Sequence, residues 1–293
     1  MPMDRLAWKG LRLATLAAIV VGLFVAVRGV SFENFGRVLR SANVVTLTAW
    51  ALPILAVGFA LRAARFRAAV GETPMSFLNA VWTMLLTQAA NNLLPLRAGE
   101  FVKTRDFVAA GHAPGRVLAA QGAEKLIEAT TLVVICAPAM AANLGYRTRV
   151  LEVTALVVAT FVPLLVWTAR RFRMRPSGLG RVFAWSLVAD AFEVALVVVT
   201  LRSVGLPSGL GTSLTVLGAV NLAIALPSVP GHFGAFEAGA TLGLVALGVA
   251  HDAAFAFAVL YRMIQWVPVS LGGAIVWGWR ATRRPSAVTA TTP

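Results

Sequence analysis

Glu124, Lys125 and Glu128 stand in an otherwise apolar stretch of the chain. Glu124 and Glu128 are four residues apart and share one face of a helix, and Lys125, three before Glu128, can reach it. A charge at the centre of a bilayer costs at least about 2.5–3.5 kcal/mol, so charges in such surroundings need partners and usually mark a function. Arg262 and Glu237 are isolated in the same way near the C-terminal end and are expected to pair with the first set. Asp190 and Glu193, three apart in a third apolar run, share a face and suit a proton or counter-ion role, or packing against an arginine from another span. Gln88, Asn91 and Asn92 bring amides that demand hydrogen-bond partners and can satisfy backbone groups freed at a helix break or line a polar cavity. Arg97, Lys103 and Arg105 follow that break, where the free N–H groups of a helix start suit phosphate. An anionic lipid headgroup is the ligand this set fits, unless the three only enforce topology.

These residues must be positioned by membrane helices. Of the 293 residues, 58% are hydrophobic and 13% charged, against about half and a quarter in a soluble domain. Six stretches read as full spans: Leu11–Val30, Asn43–Leu61, Leu118–Leu144, Val150–Thr168, Val182–Ser203 and Ala254–Trp279. The first follows Arg5, Lys9 and Arg12 as a signal peptide would, but it is too long and lacks a clean cleavage site, so it is expected to stay as a span. Two further apolar segments are broken. Met75–Leu94 stops at Pro95 and resumes with Gly99 to Ala110; Leu210–Leu226 stops at Pro227 and resumes, past Pro230, Gly231 and Gly234, over Phe233–Ala250. A helix, a Pro/Gly turn and a second short helix is the pattern of a re-entrant hairpin. The fold class expected is all-α: a polytopic membrane helix bundle of about six transmembrane helices plus two re-entrant or broken hairpins in an inverted repeat.

Charge fits this layout. With both hairpins returning to their own side, eighteen of the 26 Lys and Arg fall in cytoplasmic segments and six outside, with Lys125 and Arg262 inside spans. That bias obeys the positive-inside rule and places both termini in the cytoplasm and the chain in the cell (inner) membrane. The net charge of +14 then reflects topology and anionic lipid, not nucleic acid. The lone Cys136 excludes an intramolecular disulfide and a cysteine metal site, and His112, His232 and His251 have no ligand spacing, so no metal and no cofactor is expected. No His-Glu-x-x-His, Walker loop or strand-borne Gly-x-Gly-x-x-Gly is present, and an enzyme is not expected.

The two broken segments resemble each other. Gly111 through Glu128 aligns without a gap on Gly248 through Gln265, which sets Lys125 against Arg262. In the expected topology the hairpins enter from opposite sides, the construction many transporters use around a midplane site. The chain is expected to form one transmembrane domain over 1–284, with repeat-like halves of about 75–144 and 209–279, and a disordered tail over 285–293.

The motif set Asn91-Asn92-Leu-Leu-Pro95, Gly99-Glu100, Glu124-Lys125-Leu-Ile-Glu128, Pro227-x-x-Pro230-Gly231-x-x-Gly234-x-Phe236-Glu237 and Tyr261-Arg262 resembles the lysylphosphatidylglycerol synthase transmembrane-region family, the flippase-like domains. The resemblance covers nearly the whole chain. Two departures stand out: Leu96 follows Pro95 where the family often has Gly, and Glu124-Lys125 with Glu128 replaces the commoner Glu-Arg with Asp. Lysine lacks arginine's bidentate fork. The resemblance implies a lipid-translocating membrane domain, here without the soluble synthase domain, since the chain ends shortly after its last expected span. The expected function is flipping of an anionic phospholipid or a polyprenyl- or other lipid-linked intermediate. Asn91, Asn92, Arg97, Glu100, Glu124, Lys125, Glu128, Glu237, Tyr261 and Arg262 would form the headgroup path, and Pro95, Gly99, Pro227, Pro230, Gly231 and Gly234 the helix breaks. The alternative is a non-catalytic membrane partner of a glycosyltransferase or lipid-modifying enzyme.

Overall fold

The computed structural model describes residues 20, 21, 24, 27, 28, 30–94, 98–145, 147–225 and 232–282. Among them every regular element is helical. We number the helices α1 (Phe32–Ser41), α2 (Val44–Val70), α3 (Phe77–Leu93), α4 (Gly99–Ala109), α5 (Pro114–Asn143), α6 (Arg147–Arg171), α7 (Pro176–Ser203), α8 (Leu210–Ala225), α9 (Ala235–Val245) and α10 (His251–Thr282). Five of them, α2, α5, α6, α7 and α10, are long and apolar enough to cross a membrane. Most of the expected first span, Leu11–Val30, and the tail over 285–293 lie outside the described residues. Apolar side chains such as Val45, Trp50, Leu156, Trp167 and Ile275 face outward, as a lipid-facing surface requires. With no hydrophobic drive between helices in lipid, close packing of small residues holds the bundle. A Cβ on Gly273 of α10 would overlap that of Ala89 on α3, and one on Gly218 of α8 would stand 2.5 Å from the Met140 sulfur on α5.

Sequence chemistry sets the helix ends. Side chains of Ser31, Asn43 and Ser76 accept hydrogen bonds from Asn34, Thr46 and Asn79 N–H and open α1, α2 and α3. Pro114 and Pro176 occupy the first turns of α5 and α7, where a missing N–H costs nothing. Helix α2 runs nine residues beyond the expected Leu61, through Arg62, Arg65 and Arg67. Those arginines find partners inside the protein, so the helix continues past the apolar run.

Both broken segments are hairpins. In the first, Gly99 N–H donates to Asn91 Oδ1 at 2.8 Å, and the Thr83 hydroxyl donates to Asp106 at 2.9 Å. The start of α4 is thus beside the end of α3, and α4 runs back along it. In the second, a Cβ on Gly239 would lie 2.8 Å from the Ala219 carbonyl oxygen, and one on Gly243 would meet Ala219 and Val216, so α9 runs back along α8. The hairpins open at opposite ends of the bundle. The first opens where Arg280, at the end of α10, donates to Asp106 at 2.6 Å. Here Arg116 also bonds the carbonyls of Val70 and Phe172; this is the basic end. The second opens where Asn43 N–H donates to the Ser203 carbonyl and Asn143 Nδ2 to the Thr215 hydroxyl.

The two halves match over more helices than the sequence alignment covers. Helices α2–α5 have 27, 17, 11 and 30 residues, and α7–α10 have 28, 16, 11 and 32. Helix α6 connects them. Phe77 and Leu210 start the third and eighth helices 133 positions apart (210 less 77), while Pro114 and His251 are 137 apart (251 less 114); the second half has four more residues around its break. Gly111 and Gly248, also 137 apart, both take positive φ, at +97° and +82°. Each ends its helix in the same way: His112 N–H reaches the Phe107 carbonyl, and Val249 N–H reaches the Leu244 carbonyl, the long bond of a Schellman cap.

Candidate functional site

The first cluster forms where α2, α4 and α5 meet. Arg65 of α2 donates through Nε to Glu124 Oε1 at 3.0 Å and lies 3.4 Å from Glu128 Oε1. Lys103 of α4 lies 3.1 Å from Glu124 Oε2 and 2.8 Å from Glu100 Oε2. Lys125 closes the set on Glu128 at 2.8 Å. Three cations and three carboxylates therefore alternate across three helices. Arg65, Lys103 and Glu124 are each less than 5% exposed at their side chains, whereas Lys125 is 45% exposed. The Lys103 ammonium also sits over the Phe66 ring at 4.6 Å, a cation–π contact strengthened by the lack of water. Net neutrality lets charges persist where single ones would not.

One helical turn from Arg65, Arg62 leads to the rest of the bundle. It pairs with Glu193 of α7 at 2.8 Å and donates to Gln88 of α3. Gln88 donates to Asn92, and Asn92 to the Ser270 hydroxyl of α10. This polar chain links α7, α2, α3 and α10, and so both halves. Asp190, buried one turn before Glu193, has an Oδ2 with no hydrogen-bond partner among the described residues.

The second cluster belongs to α9 and α10. Gly234 N–H donates to Glu237 Oε2 at 2.7 Å, so Glu237 closes the N-terminus of its own helix, where a carboxylate complements the helix dipole. Its Oε1 lies 3.7 Å from Arg262 Nε. The Arg262 guanidinium is held over the rings of Phe233 and Phe236, at 4.3 and 4.9 Å, and Tyr261 stacks on Phe257. Glu100 and Glu237 are 137 positions apart (237 less 100), so each hairpin presents a carboxylate at the same place in its repeat, each with a cation.

The residues marked by the sequence thus fall into two groups. Glu100, Glu124, Lys125 and Glu128 come together on the first hairpin, and Glu237, Tyr261 and Arg262 on the second. Among the described residues the ion pairs lie within each group, where pairing between the groups was expected: Lys125 pairs with Glu128 of its own helix, and Arg262 lies near Glu237 of its own half. Asn91 caps α4, while Asn92 bonds across to α10. Arg97, Pro95, Pro227, Pro230 and Gly231 lie outside the described residues. Arg65 and Arg62 are the residues sequence reasoning passed over. Their spacing of three on an Ala-rich helix face was a usable signal. Lys103, expected to await a headgroup phosphate, is already neutralised by two carboxylates, and Arg105 turns onto Asp106. Among the described residues no three His, Cys, Asp or Glu side chains gather as a metal set.

The family model of the lysylphosphatidylglycerol synthase TM region matches residues 12–179 and 167–273. The chain belongs to that family. Both hairpins and the residues of both clusters fall within the matched segments, so the family's membrane domain and the buried charges coincide. No curated protein matches the chain.

Proposed function

We propose that this member of the lysylphosphatidylglycerol synthase TM region family moves a lipid between leaflets, with its basic end in the cytoplasm of a cell that holds it in the inner membrane. The observation that carries the reading is the alternating charge cluster at the first hairpin, buried in the protein between α4 and the two apolar helices α2 and α5. A purely structural bundle gains little from it, because apolar residues of the same volume are often at least as stable. A headgroup phosphate can take the place of a glutamate carboxylate paired with Arg65 or Lys103 while its acyl chains stay in lipid. The inverted hairpins supply two related arrangements of one site, as alternating access requires. The substrate class that fits is an anionic phospholipid or a polyprenyl-linked intermediate.

The test is reconstitution in liposomes holding fluorescent lipids of several headgroups, with loss of signal to an impermeant quencher followed in time. The wild type should speed equilibration of an anionic lipid. Glu124→Gln and Glu237→Gln should slow it about tenfold, a barrier rise of about 1.4 kcal/mol, with the protein still folded and inserted. Wild-type rates in both variants would remove the clusters from the path. No acceleration of any lipid by folded wild type would favour the partner-scaffold alternative.

A further inference from the structure

A second polar site lies at the basic end, apart from the buried clusters. A cavity of about 410 Å³ opens among the ends of α2 and α6, the starts of α5 and α7, and their loops. Arg116, Arg173, Arg175 and Arg181 line it, against one carboxylate, Glu72. Among the described residues Glu72 pairs only with Arg175, at 3.5 Å, and both side chains are strongly exposed. Among the described residues Arg116, Arg173 and Arg181 form no ion pair.

Arg116 is held in place for a ligand. Its Nε donates to the Val70 carbonyl and its Nη1 to the Phe172 carbonyl, both at 3.2 Å. Two helix ends therefore fix the guanidinium without cancelling its charge. Gly71, at φ +92°, makes the room: a Cβ there would stand 3.3 Å from Arg116 Nη2. Burial and the neighbouring Arg116 hold the imidazole of His112, on the cavity wall, below its ordinary range, so arginine supplies the positive charge. Helices α5 and α7 start beside the cavity without a side-chain cap, and the positive ends of their dipoles add to the field. Arginines that served only to set topology would be free in water. Arg116 is not.

A second cavity of about 340 Å³ lies beside the first and shares Ala68, Gly71, Glu72 and Arg181 with it as lining. Its wall carries Arg67, Phe77 and Trp185; both aromatics are partly exposed, and tryptophan is enriched at membrane interfaces. The first cavity is lined by arginines, and the second sets Phe77 and Trp185 beside Arg67 and Arg181, a pairing of cationic and aromatic walls that suits an amphiphile better than a free ion. We propose that it binds the phosphate headgroup of an anionic phospholipid from the leaflet at the basic end, with the glycerol and upper acyl chain against Trp185 and Phe77. Basic pockets between membrane helices recognise such headgroups in general. The site lies at the α2–α3, α4–α5 and α6–α7 loops, outside the proposed transport path.

The experiment uses the full chain in detergent and measures its thermal unfolding with phosphatidylglycerol, phosphatidylcholine or inorganic phosphate. Dibrominated phosphatidylglycerol, which quenches nearby tryptophan, provides a second readout. Phosphatidylglycerol should raise the Tm of wild type by several degrees, and phosphatidylcholine and inorganic phosphate should not. Arg173→Ala with Arg181→Ala, both at exposed positions, should leave the lipid-free Tm unchanged and abolish the shift. Arg116→Lys, which keeps the charge but not the two-carbonyl clamp, should reduce it. Trp185→Phe should lose the part of the quenching that saturates at low brominated lipid, while the lipid-facing Trp50 and Trp167 keep the rest. An equal shift in the double variant, or none in wild type, would overturn the proposal. An equal shift with phosphatidylcholine would show that charge is not read, and one with inorganic phosphate would assign the site to a soluble anion; either result overturns it too.

Discussion

Glu124 bridges Arg65 and Lys103 from two different helices, with both carboxylate oxygens used. Glu124→Gln keeps the shape and leaves two buried cations with a lost partner. Breaking a buried pair from one side costs about 3–5 kcal/mol. Lys125 presents the opposite case, since its pair with Glu128 is 45% exposed on the lysine side and exposed pairs contribute about 0–1 kcal/mol. Thermal unfolding in detergent should therefore show a large Tm loss for Glu124→Gln and little for Lys125→Ala; equal losses would contradict the cluster's geometry. A stability loss and a transport loss in Glu124→Gln can be separated by assaying well below its Tm. The carboxylates stood out in the sequence because a charge inside an apolar run is costly and needs a partner. Arg65 was not, because it sits between Arg62 and Arg67 at the end of such a run, where arginines ordinarily mark a membrane boundary. Only the carboxylates facing it from α5 reveal that the helix goes on.

At the scale of elements, each hairpin depends on a residue without a side chain. A Cβ on Gly99 would overlap the Thr87 carbonyl oxygen and stand 2.7 Å from Asn91 Oδ1, the acceptor that caps α4. Gly99→Ala must push α4 off α3 or lose that bond, at a cost of about 1–3 kcal/mol, and it shifts Glu100 and Lys103 with it. Gly122, inside α5, meets nothing within 4 Å; there alanine should stabilise by up to about 1 kcal/mol through helix propensity. Gly99→Ala should lower both Tm and lipid flux, with Gly122→Ala unchanged or higher in Tm; the reverse order would remove the tight turn from the account. The hairpins themselves could be read from Pro95 and Pro227 with the glycines after them, because such residues interrupt an apolar helix whatever packs against it. The reach of the repeat could not. Helices α2 and α7 match in length and place but share little sequence: α2 carries Arg62 and Arg65, and α7 carries Asp190 and Glu193, the latter paired with Arg62.

For the molecule as a whole, each hairpin packs on the long helix of the other half. Asn92 and Ala89 of the first lie on Ser270 and Gly273 of α10, and Thr215 and Gly218 of the second lie on Asn143 and Met140 of α5. Neither half can close its own core, so the two must be made as one body, and relative movement of the halves moves both hairpins at once. That arrangement requires the loops on either side of each hairpin to lie on the same side of the membrane. The native Cys136 is buried, so a Cys136→Ala background permits single cysteines at exposed positions. Glu72→Cys and Ala113→Cys flank the first hairpin at the basic end, and Pro207→Cys and Ala250→Cys flank the second at the other. An impermeant maleimide added to intact cells should label the last two and spare the first two, and inverted vesicles should give the opposite pattern. Labelling of Glu72→Cys and Ala113→Cys from opposite faces would mean that α3 and α4 together cross the membrane, which would break the inverted relation between the halves and the alternating-access reading with it. Uniform reversal of the pattern would keep the fold and turn the molecule over, placing its arginine-lined end in the outer leaflet, against the charge bias that sets membrane orientation.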